Sequence, residues 1–76
     1  MPKTFSGREL SKILASRYGF EEVGISGSHL KMRKVGKNQN LTVIIPLHSE
    51  VFIGTFLSIL RQAKISKEDF LKKSKK

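Results

Sequence analysis

Residues 27–33 combine an imidazole with two cations at a spacing that suits chemistry on a phosphate. The segment is Gly-Ser-His-Leu-Lys-Met-Arg, so His29, Lys31 and Arg33 alternate with apolar residues. In a β-strand this alternation places the three polar side chains on one face. An imidazole, with an ordinary pKa of about 6.5, can accept or donate a proton near neutrality, and cations can offset charge on a phosphate. The same pattern also fits a polar histidine on a solvated basic strand, which is the commoner case.

Other residues near this segment are candidates for contact with the same ligand. Glycine has no side chain to hold a phosphate away from the main chain. The predicted phosphate-binding set is Gly27, Ser28, Lys31, Arg33 and Lys34. His48 ends a Pro-Leu-His segment. It is a secondary candidate for substrate contact, and the alternative is an ordinary loop histidine that donates a hydrogen bond to the backbone.

The balance of charge indicates the class of partner. Fifteen Lys and Arg residues stand against six Asp and Glu residues, which gives a formal net charge of +9. So small a body with this charge attracts polyanions. We therefore expect nucleic acid first, an acidic protein second and an anionic membrane surface third. Residues 71–76, Leu-Lys-Lys-Ser-Lys-Lys, are expected to form a frayed basic tail.

Length and composition predict one domain over residues 1–76. The hydrophobic fraction of 38% and the charged fraction of 28% are typical of a globular chain. The absence of cysteine excludes disulfides and thiolate metal sites. The six acidic residues form no ligand cluster with His29 in the sequence, so we expect no metal and no cofactor. No apolar run approaches the roughly 20 residues of a membrane span, and we expect a cytoplasmic protein.

Local signals predict a helix on each side of an extended region. Ser6 and Glu9 have the spacing of a capping box, and Gly19 ends the apolar stripe that follows. A second helix is expected from about Thr55, with Thr55 or Gly54 as its cap. A short final helical turn is expected near residues 66–69.

Three strands are predicted between the two helices. Val23 and Ile25 should point to one side of the first strand, and Leu30 and Met32 should point inward from the second. The third should stop near Pro46, which cannot donate to a ladder. The prediction is an α+β fold of αβββα order, with a three-stranded antiparallel sheet and both helices on one face.

Four segments together resemble the HicA toxin family, the small mRNA interferases of bacterial and archaeal toxin–antitoxin pairs. They are SGRELSKILASRYGFEEV, GSHLKMRK, the strand closing in Pro-x-His, and GTFLSILRQAKIS. The similarity covers residues 5–70, and its most specific parts are residues 27–29 and 54–63. The resemblance implies a fold like the double-stranded-RNA-binding domain. It also implies an endoribonuclease that cuts mRNA without a metal ion, with His29 as the catalytic residue.

The same resemblance implies a protein partner. A HicB-type antitoxin, expected to be acidic, would cover the active face; the toxin would be a monomer when free and heteromeric with the antitoxin. One alternative is a non-catalytic RNA-binding module of the same fold, which recognises duplex shape and needs no histidine. A DNA-binding partner in a repressor complex ranks last, because no recognition helix with base-reading side chains stands out.

Overall fold

The computed structural model describes residues 4–74. Its elements, in chain order, are α1 (Gly7–Tyr18), β1 (Glu21–Ser26), β2 (His29–Val35), β3 (Asn40–Pro46), α2 (Ile53–Ala63) and α3 (Lys67–Ser74). The strands form one antiparallel sheet in the order β1-β2-β3, so β2 is central. This is the predicted α+β architecture, consistent with a fold like the double-stranded-RNA-binding domain, with a third helix added. Within residues 4–74, no helix has the length and apolar character needed to cross a membrane.

The predicted boundaries of α1 are confirmed. The Ser6 hydroxyl accepts the Glu9 N–H at 3.1 Å, and the Glu9 carboxylate accepts the Ser6 N–H at 2.9 Å. Gly19 ends the helix with φ of 77° and donates its N–H to the Leu14 carbonyl. These local bonds satisfy main-chain groups that the ends of a helix would otherwise leave without partners.

One face of the sheet packs on the helices, and the other is open. Leu30 and Met32 of β2 are buried, as predicted, because alternate residues of a strand point to the same side. They share a single core with residues of β3 and of all three helices, among them Val43, Ile45, Leu10, Leu14, Ile59 and Phe70. The prediction that α1 and α2 lie on one face is therefore confirmed.

A bulge in β1 interrupts the predicted alternation of that strand. Glu22 pairs with Met32 and Gly24 with Lys31, so Val23 is an extra residue between two consecutive pairs. One extra residue reverses the faces of everything beyond it. The prediction that Val23 and Ile25 alternate regularly toward one side is therefore wrong, and their side chains are 54% and 58% exposed.

The second helix begins earlier than predicted. It starts at Ile53, with Phe52 as an N-cap that makes no side-chain hydrogen bond, so neither Thr55 nor Gly54 is the cap. The apolar residues at helical spacing are buried as expected, among them Phe56 and Leu60. Packing of this face, and not a capping side chain, therefore determines where α2 lies.

The final helix is longer than the predicted turn. It continues to Ser74 and so includes residues 71–74 of the segment expected to form a tail; residues 75–76 lie outside the described residues. Phe70 is fully buried, with its ring centroid 5.5 Å from that of Phe5 and 5.4 Å from that of Phe56. This aromatic cluster anchors the helix through tertiary contacts that its short local sequence does not indicate.

A hydrogen bond of 2.7 Å from the Tyr18 hydroxyl to Asp69 joins α1 to α3. Asp69 also lies 3.8 Å from the ammonium of Lys73. Burial, followed by the hydrogen bond to Asp69 and the charge of that carboxylate, raises the pKa of the Tyr18 phenol above its ordinary value. The two helices are thus held together by a contact that requires a protonated phenol.

Candidate active site

The open face carries the polar residues of the central strand. His29, Lys31 and Arg33 are all exposed, whereas Leu30 and Met32 between them are buried. The prediction that the three share the outward face is confirmed. Within residues 4–74, neither Lys31 nor Arg33 forms an ion pair, so both cations are available to an anionic ligand.

A two-residue turn places His29 at the start of β2. Ser26 pairs with His29, which leaves Gly27 and Ser28 as the loop. Gly27 has φ of 60°, and Ser28 has no positive φ, which is the pattern of a type II′ turn with glycine at its first central position. No atom lies within 4 Å of the place where a Cβ on Gly27 would stand. The glycine therefore suits the turn, and the space next to it is open.

A depression lies beside His29 and Lys31 on the side of β1. His29 lies opposite Ser26, and Lys31 lies opposite Gly24. The depression, of about 310 Å³, lies along these pairs and is also lined by Val23 and Ile25 of β1 and by Ile44 of β3. The imidazole and the ammonium therefore border an open depression whose other lining residues are small or aliphatic.

A second depression, of about 450 Å³, lies on the other flank of His29. Its lining residues come from β2, β3, the β3–α2 loop and the first turn of α2: His29, Ile44, Pro46, His48, Glu50, Val51, Phe52 and Thr55. His29 borders both depressions, and His48 borders only this one. The structure thus brings the two histidines together.

Two main-chain hydrogen bonds hold the segment that carries His48. The Leu47 N–H donates to the Ser28 carbonyl at 2.6 Å, and the Gly7 N–H donates to the His48 carbonyl at 2.9 Å. A Cβ on Gly7 would overlap the carbonyl oxygen of Pro46. The first turn of α1 therefore lies directly against the end of β3, and only glycine permits that approach.

Lys34 does not belong to the surface that carries His29. Strand alternation places it on the opposite face, where its ammonium lies 5.9 Å from the centroid of the Phe20 ring. Of the predicted phosphate-binding set, Gly27 and Ser28 form the turn before His29, Lys31 and Arg33 share its open face, and Lys34 lies on the opposite face. The prediction that Lys34 contacts the phosphate was wrong because Lys34 follows Arg33 directly, and the side chains of adjacent strand residues point to opposite faces.

Three residues that line the second depression were not predicted as site residues. Glu50, Phe52 and Thr55 reach it because the chain turns between β3 and α2. The Phe52 side chain is 71% exposed. No spacing rule places these residues beside β2, so only the tertiary structure reveals them. Within residues 4–74, no group of three His, Cys, Asp or Glu side chains is arranged to hold a metal ion.

The chain matches the model of a known protein family. A family model described as "HicA toxin of bacterial toxin-antitoxin" matches residues 7–65, well over half of the chain. The chain belongs to the HicA toxin family. The matched residues extend from the first residue of α1 to just beyond α2 and include both histidines. A HicA toxin is one component of a toxin–antitoxin system, so the chain has an antitoxin as its partner. No curated protein matches the chain.

Proposed function

We propose that this HicA toxin is an endoribonuclease that cleaves mRNA without a metal ion, with His29 as its catalytic residue. The observation that carries the proposal is the exposed His29 side chain on the open face of the sheet, beside Lys31 and Arg33. A histidine sealed beneath the helices would have been inaccessible to a ribose-phosphate backbone.

The chemistry of metal-free RNA cleavage fits these side chains. The 2′-hydroxyl must lose a proton, the leaving 5′-oxygen must gain one, and negative charge on the phosphorus centre must be stabilised. Histidine exchanges protons near neutral pH, so His29 suits proton transfer. Lys31 and Arg33 lie two and four residues further along the same face, where they can hold the phosphates and stabilise developing charge.

The turn before β2 supports close approach of the backbone of the RNA. Space is open around Gly27, and Ser28, which immediately precedes His29, is exposed. We infer that Gly27, Ser28, Lys31 and Arg33 contact the RNA. Single-stranded mRNA is the expected substrate, because its flexible chain can follow the shallow open face and bring a 2′-hydroxyl in line with its phosphate.

The antitoxin belongs to the same proposal. An acidic HicB-type protein would complement the net charge of +9 and would inhibit the toxin by covering the open face. The toxin would then be a monomer when free and heteromeric with its antitoxin, acting in the cytoplasm where mRNA is found.

The test is a His29→Ala variant assayed on single-stranded RNA in the presence of EDTA. We expect cleavage to fall by about a hundred- to ten-thousand-fold, the usual contribution of a general acid or base, and growth inhibition to disappear. RNA binding and antitoxin binding should persist, because the neighbouring cations remain. Asn38→Ala is the matched control, since Asn38 is exposed in the turn at the opposite end of β2.

The alternative function is a non-catalytic RNA-binding module, which the basic open face would also serve. Purified protein that binds RNA but leaves it intact, with no difference between wild type and His29→Ala, would establish that alternative and refute the nuclease proposal.

A further inference from the structure

We propose that His48 is the second proton-transfer residue of this site, complementary to His29. The inference rests on the proposed ribonuclease function and adds a catalytic group to it. A single imidazole would have to serve both ends of the reaction, whereas two imidazoles on either side of one phosphate divide the work between them.

The backbone places the two histidines on adjacent strand ends. His29 pairs directly with Pro46, and His48 follows Pro46 by two residues. Paired strands lie about 4.8 Å apart, and two extended residues span roughly 7 Å. The hydrogen bond from Leu47 to Ser28 joins the residues immediately before the two histidines, so their separation is determined by a short main-chain contact.

The side chains border one depression that is open to solvent. Both histidines are exposed and line the second depression, of about 450 Å³, between the end of β3 and the start of α2. The remaining titratable residue of that cavity is Glu50, and the nearest cation on the sheet is Lys31, which lines the adjacent depression with His29. A phosphodiester lying over His29 would therefore have His48 on its β3 side.

The reaction balances with two histidines and no further reagent. One neutral imidazole takes the proton of the 2′-hydroxyl as the 2′-oxygen attacks phosphorus and forms a new P–O bond. The other, protonated, imidazole gives its proton to the 5′-oxygen as the P–O5′ bond breaks. The products are a 2′,3′-cyclic phosphate and a free 5′-hydroxyl, and the enzyme has neither gained nor lost a proton overall.

The chemistry favours His48 over the other groups at the site. An ordinary glutamic acid, with a pKa near 4.3, is ionised at neutral pH and has no proton to give, and an ordinary lysine, with a pKa near 10.4, holds its proton. Imidazole is the type of side chain that is populated in both forms near pH 7. The chain has two histidines, His29 and His48, and the fold brings both to the second depression.

The experiment compares His48→Ala with His29→Ala and Asn38→Ala on a defined RNA oligonucleotide, over a range of pH. We expect His48→Ala to lower cleavage by about a hundred- to ten-thousand-fold at neutral pH with RNA affinity and melting temperature unchanged. The wild-type rate should show a bell-shaped dependence on pH, and each histidine variant should lose one limb of it.

A second substrate identifies which proton each histidine moves. RNA with sulfur in place of the leaving 5′-oxygen needs no general acid, since a thiolate is a good leaving group. The variant that lacks the acid should cleave this substrate nearly as fast as wild type does, whereas the variant that lacks the base should remain slow. Free imidazole added to the buffer should partly restore His48→Ala.

The outcomes separate this inference from the proposed function. Full cleavage by His48→Ala alongside an inactive His29→Ala would overturn the role of His48 and leave the nuclease proposal standing. Full cleavage by His29→Ala would refute the catalytic role of His29, on which both proposals rest, and RNA left intact by the wild type would refute the nuclease proposal. A slow His48→Ala whose bell-shaped profile is intact, and which neither the sulfur substrate nor imidazole rescues, would show that His48 only supports the structure, and would overturn the inference.

Discussion

The main-chain N–H of Leu47 donates a hydrogen bond of 2.6 Å to the carbonyl oxygen of Ser28. These two residues immediately precede His48 and His29, so the bond extends the contact between β2 and β3 beyond the last ladder pair, His29 with Pro46. The backbone beneath both imidazoles is therefore held before any ligand arrives. Such preorganisation reduces the entropy lost when a site binds its substrate.

Gly7→Ala tests whether α1 holds the His48 segment in place. The Gly7 N–H bonds to the His48 carbonyl at 2.9 Å, and a methyl group on Gly7 would overlap the Pro46 carbonyl oxygen. The segment must then move away from the helix. We expect the free energy of unfolding to fall by about 1–3 kcal/mol, as for other overpacked sites, and RNA cleavage to fall as well. Urea denaturation and an oligonucleotide cleavage assay measure the two effects.

The control for that change is Gly54→Ala in the first turn of α2, where no atom lies within 4 Å of the new methyl group. Alanine is the better helix former by about 1 kcal/mol, so stability should stay the same or rise. Equal stability and activity in Gly7→Ala and wild type would show that α1 does not hold the segment.

Gly27→Ala tests the turn that presents His29. The residue has φ of 60°, where an L-amino acid with a side chain pays about 1–2 kcal/mol, although space around it is open. We expect a loss of stability of that size in chemical denaturation. Gly24→Ala is the matched control, because Gly24 also has open space but lacks a positive φ. A loss of stability in both variants alike would contradict the assignment of strain to the turn.

The sequence predicts what depends on local periodicity. Alternation along β2 correctly separated His29, Lys31 and Arg33 from the buried Leu30 and Met32, because successive strand residues point to opposite faces whatever lies beyond them. The capping box at Ser6 was equally local. These signals were sufficient to predict the open face, whereas the choice of His29 as the catalytic residue came from the resemblance to the HicA family.

What the sequence does not predict depends on pairing and packing. The extra residue at Val23 exists only in relation to β2, and the length of α3 depends on the fit of Phe70 between other aromatic rings. The meeting of His29 with His48 likewise requires the register of β2 on β3. The start of α2 was mistaken because Phe52, its cap, carries no capping group to signal it.

Two residues of α2 from the family-like segment make hydrogen bonds at the edge strand β3. Gln62 in α2 accepts the Ile44 N–H at 3.3 Å and donates to the Ser58 hydroxyl at 3.4 Å. Gln62 and Ser58 both lie within residues 54–63, one of the two most specific parts of the resemblance to the HicA family. Covering a main-chain donor on an edge strand limits its pairing with other chains. Gln62 and Ser58 therefore have a structural role at the edge of the sheet.

Stability should fall above about pH 10 because of Tyr18. Its phenol has a raised pKa in the folded protein, so the folded state binds this proton more tightly than the unfolded state. The contribution is fully present below the ordinary tyrosine pKa of about 10 and is lost as the pH rises further. Removing the hydrogen bond to Asp69 with Tyr18→Phe should cost about 1 kcal/mol at pH 7.

Urea denaturation from pH 7 to 11 measures both effects. Wild type should lose stability more steeply than Tyr18→Phe above pH 10, because the variant has no phenol to ionise. Since Tyr18 is the single tyrosine of the chain, its ionisation can also be followed by ultraviolet absorbance. Parallel curves for the two proteins would contradict a link between the phenol and stability.

Salt dependence of RNA binding tests the two cations beside His29. Each phosphate contact with single-stranded RNA releases counterions, so losing one should reduce the slope of log K against log salt by about 0.7. Lys31→Ala and Arg33→Ala, measured in the inactive His29→Ala background, should each show this reduction and weaker binding. Lys12→Ala and Arg17→Ala remove the same charges from exposed positions on α1, and Lys34→Ala removes one from the helix-covered side of β2. If RNA lies on the open face, these three controls keep the wild-type slope; equal reductions in all five variants would mean that RNA responds only to the net charge of the protein.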